Sequence, residues 1–161
     1  LSASINDVTL ADLAKLTDVF WIGGTKAGAM IGEAIIINKP EYAKDFRFHI
    51  KQRGALLAKG RLLGIQFQTL FKDDLFFTAT GRANKLAEKL SHAIIKAGYQ
   101  MDSETETNQV FPAFPNDLIQ KLEEDFGFYN WGAVDKNRSV VRLVTSWATD
   151  EAAVDRFIAK L

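Results

Sequence analysis

The chain has 161 residues, 20 Lys+Arg against 20 Asp+Glu, 47% hydrophobic residues and no cysteine. That length suits one domain, or pieces of two, with a sizeable core, and zero net charge speaks against nucleic acid or a membrane surface held by bulk charge. Without cysteine there are no disulfides, thiolate nucleophiles or thiolate metal sites, and His49 and His92, with no His-x-x-x-His spacing, make a poor start for zinc. The 12 Phe and 3 Trp against 3 Pro mark a globular chain. No basic leader is seen, nor any run approaching the ~20 apolar residues of a membrane span, so a cytoplasmic protein is expected. The chain opens on Leu1, and its only methionines are Met30 and Met101, so further sequence upstream is expected.

Thr9, with Asp12 three positions on, reads as the cap of a short helix through Leu10, Leu13, Ala14 and Leu16. Val19-Phe20-Trp21-Ile22 and Ala34-Ile35-Ile36-Ile37 are apolar runs bounded by Gly23-Gly24 and Asn38-Lys39-Pro40. They read as interior strands of an α/β sheet covered on both faces. From Glu41 to about Phe71 the pattern turns helical, with Phe46, Ile50, Leu57, Gly60, Gly64, Phe67 and Phe71 as a buried stripe. A second helix is expected from about Leu75 to Ala97, with Ala83, Leu86, Ala87, Leu90, Ile94 and Ala97 on one face and Gly98 as its stop. Then follow a strand over Thr107 to Phe114 and a helix over Pro115 to Phe126, with proline in its first turn. A strand over Ser139 to Ser146 and a helix over Asp150 to Leu161, with acids in its first turn, close the chain. This divides it into the end of a larger α/β domain (1–74), a connecting helix (75–98) and a small α+β domain (99–161).

Charge is unevenly shared. Lys44, Arg47, Lys51, Arg53, Lys59 and Arg61 stand against Asp45 alone in residues 44–61, whereas residues 100–135 carry eight acids against Lys121 alone. Solvated helix faces explain both runs; the alternative is that part of the basic segment faces a bound anion.

Two residues stand out for chemistry. Lys26 lies in Gly-Gly-Thr-Lys-Ala-Gly directly after a strand, between small neighbours that leave room for a planar ligand. Partial burial there would favour the neutral, nucleophilic amine; the other reading is an ordinary exposed turn. Arg142 interrupts the apolar strand Val140-Val141-Arg142-Leu143-Val144, where a charge is costly unless paired or binding an anion. Its fork matches a carboxylate, but a structural salt bridge or an exposed strand face would serve equally.

The motifs Gly23-Gly24-Thr25-Lys26-Ala27-Gly28-Ala29, Gly32-Glu33-Ala34, Lys51-Gln52-Arg53-Gly54, Thr107-Asn108-Gln109-Val110-Phe111 and Arg142-Leu143-Val144-Thr145-Ser146-Trp147 come in order along the chain. Together they resemble the second half of the threonine aldolase and aromatic amino-acid β-eliminating lyase family. The resemblance implies the aspartate-aminotransferase-like fold type I of pyridoxal-phosphate enzymes. It implies Lys26 as the Schiff-base lysine, Arg142 as the arginine for the substrate α-carboxylate and Thr25 as a neighbour of the phosphate. It also implies that Arg61 reaches a phosphate, in a neighbouring subunit. Ser146 stands where many members have histidine; the low-specificity branch also carries Ser-Trp.

On this resemblance the expected activity is retro-aldol cleavage of a β-hydroxy amino acid to glycine and an aldehyde. The expected cofactor is pyridoxal 5'-phosphate, and the expected partners are a missing N-terminal half and further copies in a homodimer or homotetramer. Residues that stack on the cofactor, pair with its ring nitrogen and form its phosphate loop would lie upstream. Neither His49 nor His92 suits as the base for the β-hydroxyl, since both fall in expected helices. β-Elimination and transamination use the same lysine and arginine, and a non-catalytic α/β interaction module is the reading outside enzymes.

Overall fold

The computed structural model describes residues 8–161. They form two compact units, residues 8–78 and Ala79–Leu161. No helix among the described residues is long and apolar enough to cross a membrane.

In the first unit, helix α1 (Leu10–Leu16) opens on the expected capping box. The Asp12 amide donates to Thr9 Oγ1 at 3.2 Å and the Thr9 amide donates to the Asp12 carboxylate at 3.0 Å, which satisfies two amides that a helix start otherwise leaves unpaired. Strands β1 (Val19–Gly23) and β2 (Glu33–Ile37) pair with each other, antiparallel, from Val19 opposite Ile37 to Gly23 opposite Glu33. The two-sided cover expected of these strands is not present among the described residues. Phe20, Ile22, Ala34 and Ile36 are half-buried, while Val19, Trp21 and Ile35 lie in solvent. Successive strand side chains point to opposite faces, so covering one face leaves the alternate residues open.

The long helix expected from Glu41 to Phe71 is three helices, α2 (Pro40–Ala43), α3 (Phe46–Gln52) and α4 (Arg61–Phe71). Asp45 at φ 55 and Gly54 at φ 70 adopt left-handed backbone that a helix cannot contain. At Gly54 the chain closes α3 in a Schellman pattern, with Gly54 N donating to Lys51 O and Ala55 N to Ile50 O. The expected stripe is correspondingly only partly covered: Phe46, Ile50 and Phe67 are half-buried, whereas Leu57, Gly60, Gly64 and Phe71 are exposed. The covered side of α4 carries Leu63, Gln66 and Leu70 beside Phe67. Leu70 joins Ala27 and Phe76 in a small core, packed by Ile22, Ala29 and Phe77.

A short 3-10 turn (Lys72–Asp74) leads to α5 (Leu75–Lys96). Ala83, Leu86, Ala87, Leu90 and Ile94 are buried as the spacing requires, while Ala97 lies just past the helix and is exposed. Gly98, at φ 90, ends it, with Tyr99 N donating to Ile94 O at 3.2 Å.

The second unit is an antiparallel sheet with α5, α6 (Asn116–Glu123) and α7 (Glu151–Ile158) supplying its core partners. Strand β7 (Arg138–Val144) is central; β4 (Gln109–Val110) and β5 (Pro112–Pro115) share one edge, β6 (Tyr129–Ala133) takes the other, and β3 (Gln100–Met101) adds outside β5. The strand expected over Thr107 to Phe114 is thus two, broken at Phe111. Its carbonyl accepts from Asp102 N at 2.8 Å, and Pro112, which follows, has no N–H to continue a ladder. Val141 and Leu143 enter the core with Phe114, Ile119, Leu122, Val154 and Phe157. Strand alternation turns Arg142 to the opposite face.

Leu122 is fully buried in this core. Leu122→Ala should destabilise the second unit by about 2–5 kcal/mol; Ile95→Ala, on the exposed side of α5, should stay within about 0.5 kcal/mol. Hydrogen exchange of the β7 amides reads the difference, and equal effects would contradict the core described.

Candidate functional site

The loop between β1 and β2 holds Lys26 in a tightly tied turn. Ala27 N and Ala29 N both donate to Gly24 O at 3.0 Å, and Gly24 N donates to Gly32 O at 3.2 Å. Ala27 is buried against Leu70 and Phe76, which sends its neighbours Thr25 and Lys26 outward into solvent. A Cβ on Gly24 would come within 2.9 Å of Ala29 Cβ and 3.2 Å of the Gly32 carbonyl, so only glycine fits the crossing. Helix α4 secures the far side: Gln66 Oε1 accepts from Met30 N at 2.6 Å, and Gln66 Nε2 donates to Ile31 O at 3.3 Å.

Lys26 makes no ion pair among the described residues, and it is exposed, as in the ordinary-turn reading, without the partial burial that would favour a neutral amine. The reason is local: the turn packs inward through Ala27, and nothing else in this unit covers its outer side.

Arg61 is the first residue of α4, exposed, beside an open cavity of about 470 Å³ lined also by Ala58, Lys59, Gly60, Leu62 and Ile65. Lys59 and Arg61 add charge where the helix presents its positive end. No hydrogen bond joins Arg61 to Thr25 or Lys26 among the described residues, so the structure does not tie these three together. The rest of the basic run in residues 44–61 is likewise solvated.

In the second unit, Arg142 is half-buried and forms no ion pair among the described residues, which removes the salt-bridge reading. Its guanidinium carbon lies 4.8 Å from the centre of the Tyr129 ring and 5.1 Å from that of Trp131. Nε is enclosed without a hydrogen-bond partner, a state that typically costs about 1–3 kcal/mol. The terminal nitrogens of the fork make no hydrogen bond among the described residues either. Arg138, on the same strand, shows the contrasting structural case: it pairs with Asp135 at 2.8 Å.

Other motif residues hold the strand. Thr145 Oγ1 donates to Ala83 O at 2.6 Å, and Asn108 Nδ2 donates to Thr145 O at 2.6 Å. Arg82 Nη1 donates to the carbonyls of Trp147 and Thr149 at 3.1 and 2.8 Å, fixing the turn after β7. Sequence reasoning missed Gln66, Arg82, Tyr129 and Trp131. Only the Tyr-x-Trp spacing, which puts two rings on one strand face, offered a signal.

Gly24→Ala should loosen the Lys26 turn, at about 1–3 kcal/mol of strain, and raise hydrogen exchange at Ala27 and Ala29; Gly64→Ala, which meets open space inside α4, should instead stabilise that helix by about 0.5–1 kcal/mol. Unchanged exchange in Gly24→Ala would contradict the tight crossing.

No model of a known family matches the chain. It is 30% identical over 146 residues to the low specificity L-threonine aldolase of a Pseudomonas species, covering 89% of this chain and 41% of that protein. It is also 30% identical over 135 residues to the enzyme of the same name from Pseudomonas aeruginosa, with 83% and 38% covered. Among solved structures, Leishmania major threonine aldolase matches with a TM-score of 0.93 and 46% identity, over 99% of this chain and 46% of that one. Sphingomonas wittichii serine palmitoyltransferase matches with a TM-score of 0.65 at 11% identity, over 94% and 41%, a likeness of fold alone. The chain spans less than half the length of each of these proteins. By sequence and by fold alike, it is a relative of the threonine aldolases and carries the C-terminal part of their fold-type-I architecture.

Proposed function

We propose that the chain is the C-terminal half of a pyridoxal-phosphate-dependent aldehyde-lyase that cleaves β-hydroxy amino acids of the threonine type to glycine and an aldehyde. The observation that carries this reading is the 46% identity to Leishmania major threonine aldolase over 99% of the chain. In this reading residues 1–74 end the large cofactor-binding domain, 75–98 connect, and 99–161 form the small domain. The enzyme works as a cytoplasmic homodimer or homotetramer.

The donor set fits the cofactor and substrate by its chemistry. An outward primary amine without an ion pair suits a carbonyl, a cationic helix start suits a phosphate, and a guanidinium without an ion pair suits a carboxylate. Lys26 would hold the cofactor covalently, with the Thr25 hydroxyl next to it; Arg61 would bind a phosphate, reaching it from a neighbouring subunit. Arg142 would bind the substrate α-carboxylate and so fix which bond of the amino acid is presented for cleavage. When bound, pyridoxal phosphate supplies the electron sink for breaking that carbon–carbon bond.

Lys26→Ala in the complete enzyme should abolish covalent attachment of the cofactor, because the primary amine that would hold it is removed. Borohydride reduction followed by mass spectrometry reads this directly, and cofactor still fixed to the variant would overturn the assignment.

The chain alone should be inactive and self-associating. In its first unit Trp21, Met30, Ile35, Phe48, Leu62 and Ile65 are all exposed, and patches of that kind drive association. Size exclusion with light scattering should show aggregates or oligomers; a cooperatively unfolding monomer that binds pyridoxal phosphate would defeat the proposal.

A further inference from the structure

Strand β6 is exposed at all five of its positions, yet it carries two large aromatic side chains. Tyr129 is 66% exposed and Trp131 57%, so neither ring is there to fill a core. What they share is one cation, the Arg142 guanidinium, over both ring faces. Tyr129 stands directly across from Arg142 in the antiparallel register. Trp131 is the extra residue where the register shifts between Asn130 and Gly132, so it has no cross-strand partner of its own. Bulges re-aim side chains in this way. The Phe111 ring meets the indole edge-on at a centroid distance of 5.5 Å and supports it from the side.

We propose that Tyr129 and Trp131 are positioning residues for Arg142: their faces hold the guanidinium in one orientation with its terminal edge open, so that it meets an α-carboxylate ready for two parallel hydrogen bonds. The inference rests on the reading of Arg142 as the carboxylate clamp. An arginine on a free strand face would have to give up its rotamer freedom on binding. One already stacked on two rings has given much of it up on folding, and ring faces attract the cation without occupying its N–H donors. Carboxylate side chains in their place would fill the fork and close the site.

The test uses the complete, cofactor-loaded enzyme, with KM and kcat for a β-hydroxy amino acid and the dissociation constant of glycine by calorimetry. Tyr129→Leu and Trp131→Leu, which keep apolar bulk but remove the ring face, should each raise the glycine dissociation constant and KM about two- to fivefold, and together about tenfold. Turnover should change less, and the cofactor absorbance band should stay unchanged. Tyr129→Phe and Trp131→Phe, which keep a ring face, should restore binding. Leucine variants that bind glycine like the parent would overturn the positioning role. Arg142→Lys separates the two levels: if it weakens glycine while the leucine variants do not, the clamp stands and the positioning role fails. If Arg142→Lys leaves glycine binding unchanged, the clamp reading fails and the positioning role with it.

Discussion

The period of two along β7 is the constraint on which the second unit depends. Val141 and Leu143 must enter the core with α5, α6 and α7, and the backbone then has no choice but to turn Arg142 the other way. Placing Val141 and Leu143 in that core turns the cation between them to the other face, where it is half-buried beside Tyr129 and Trp131. A charge can sit inside so apolar a strand because its side chain lies on the face away from the core cluster. Its cost is offset on the opposite face by two rings, not by an acid.

The first unit solves a different problem: how to hold an outward lysine still. Three backbone hydrogen bonds around Gly24 and Gly32 knot the turn, and Ala27 anchors it in the small core. Neither device involves the lysine itself, so the amine stays available while its backbone is fixed. The close approach at Gly24 is needed because the strand end, the turn and the start of β2 cross at one point.

Helix α5 was legible because its pattern repeats over many turns and Gly98 marks the end; the capping box at Thr9 and the start of α7 at Asp150 were legible from local chemistry alone. Three features were not. Asp45 breaks the helical region by entering left-handed space, which aspartate visits only occasionally and glycine routinely. Strand β6, Tyr-Asn-Trp-Gly-Ala, has neither a buried face nor regular alternation, so only its partner β7 defines it. Gln66 acts on residues some 35 positions away, a distance over which side-chain pairing leaves no local trace. Among the candidate residues, Lys26 and Arg142 were visible as anomalies, a lysine among small residues and a charge among valines. The rings that meet Arg142 were hidden because exposed aromatics on an unpredicted strand look like ordinary surface.

Helix α4 also behaves as a gauge block. Arg61 begins it, and Gln66, five residues on, grips the loop that follows Lys26. Five residues of α-helix span about 7.5 Å along the axis, so the cationic helix start and the lysine loop are kept at a spacing set by backbone geometry and not by contacts between them. Any displacement of one carries the other, and a residue inserted between positions 61 and 66 would rotate Gln66 by about 100° off the loop. Length, more than composition, is what this segment has to conserve.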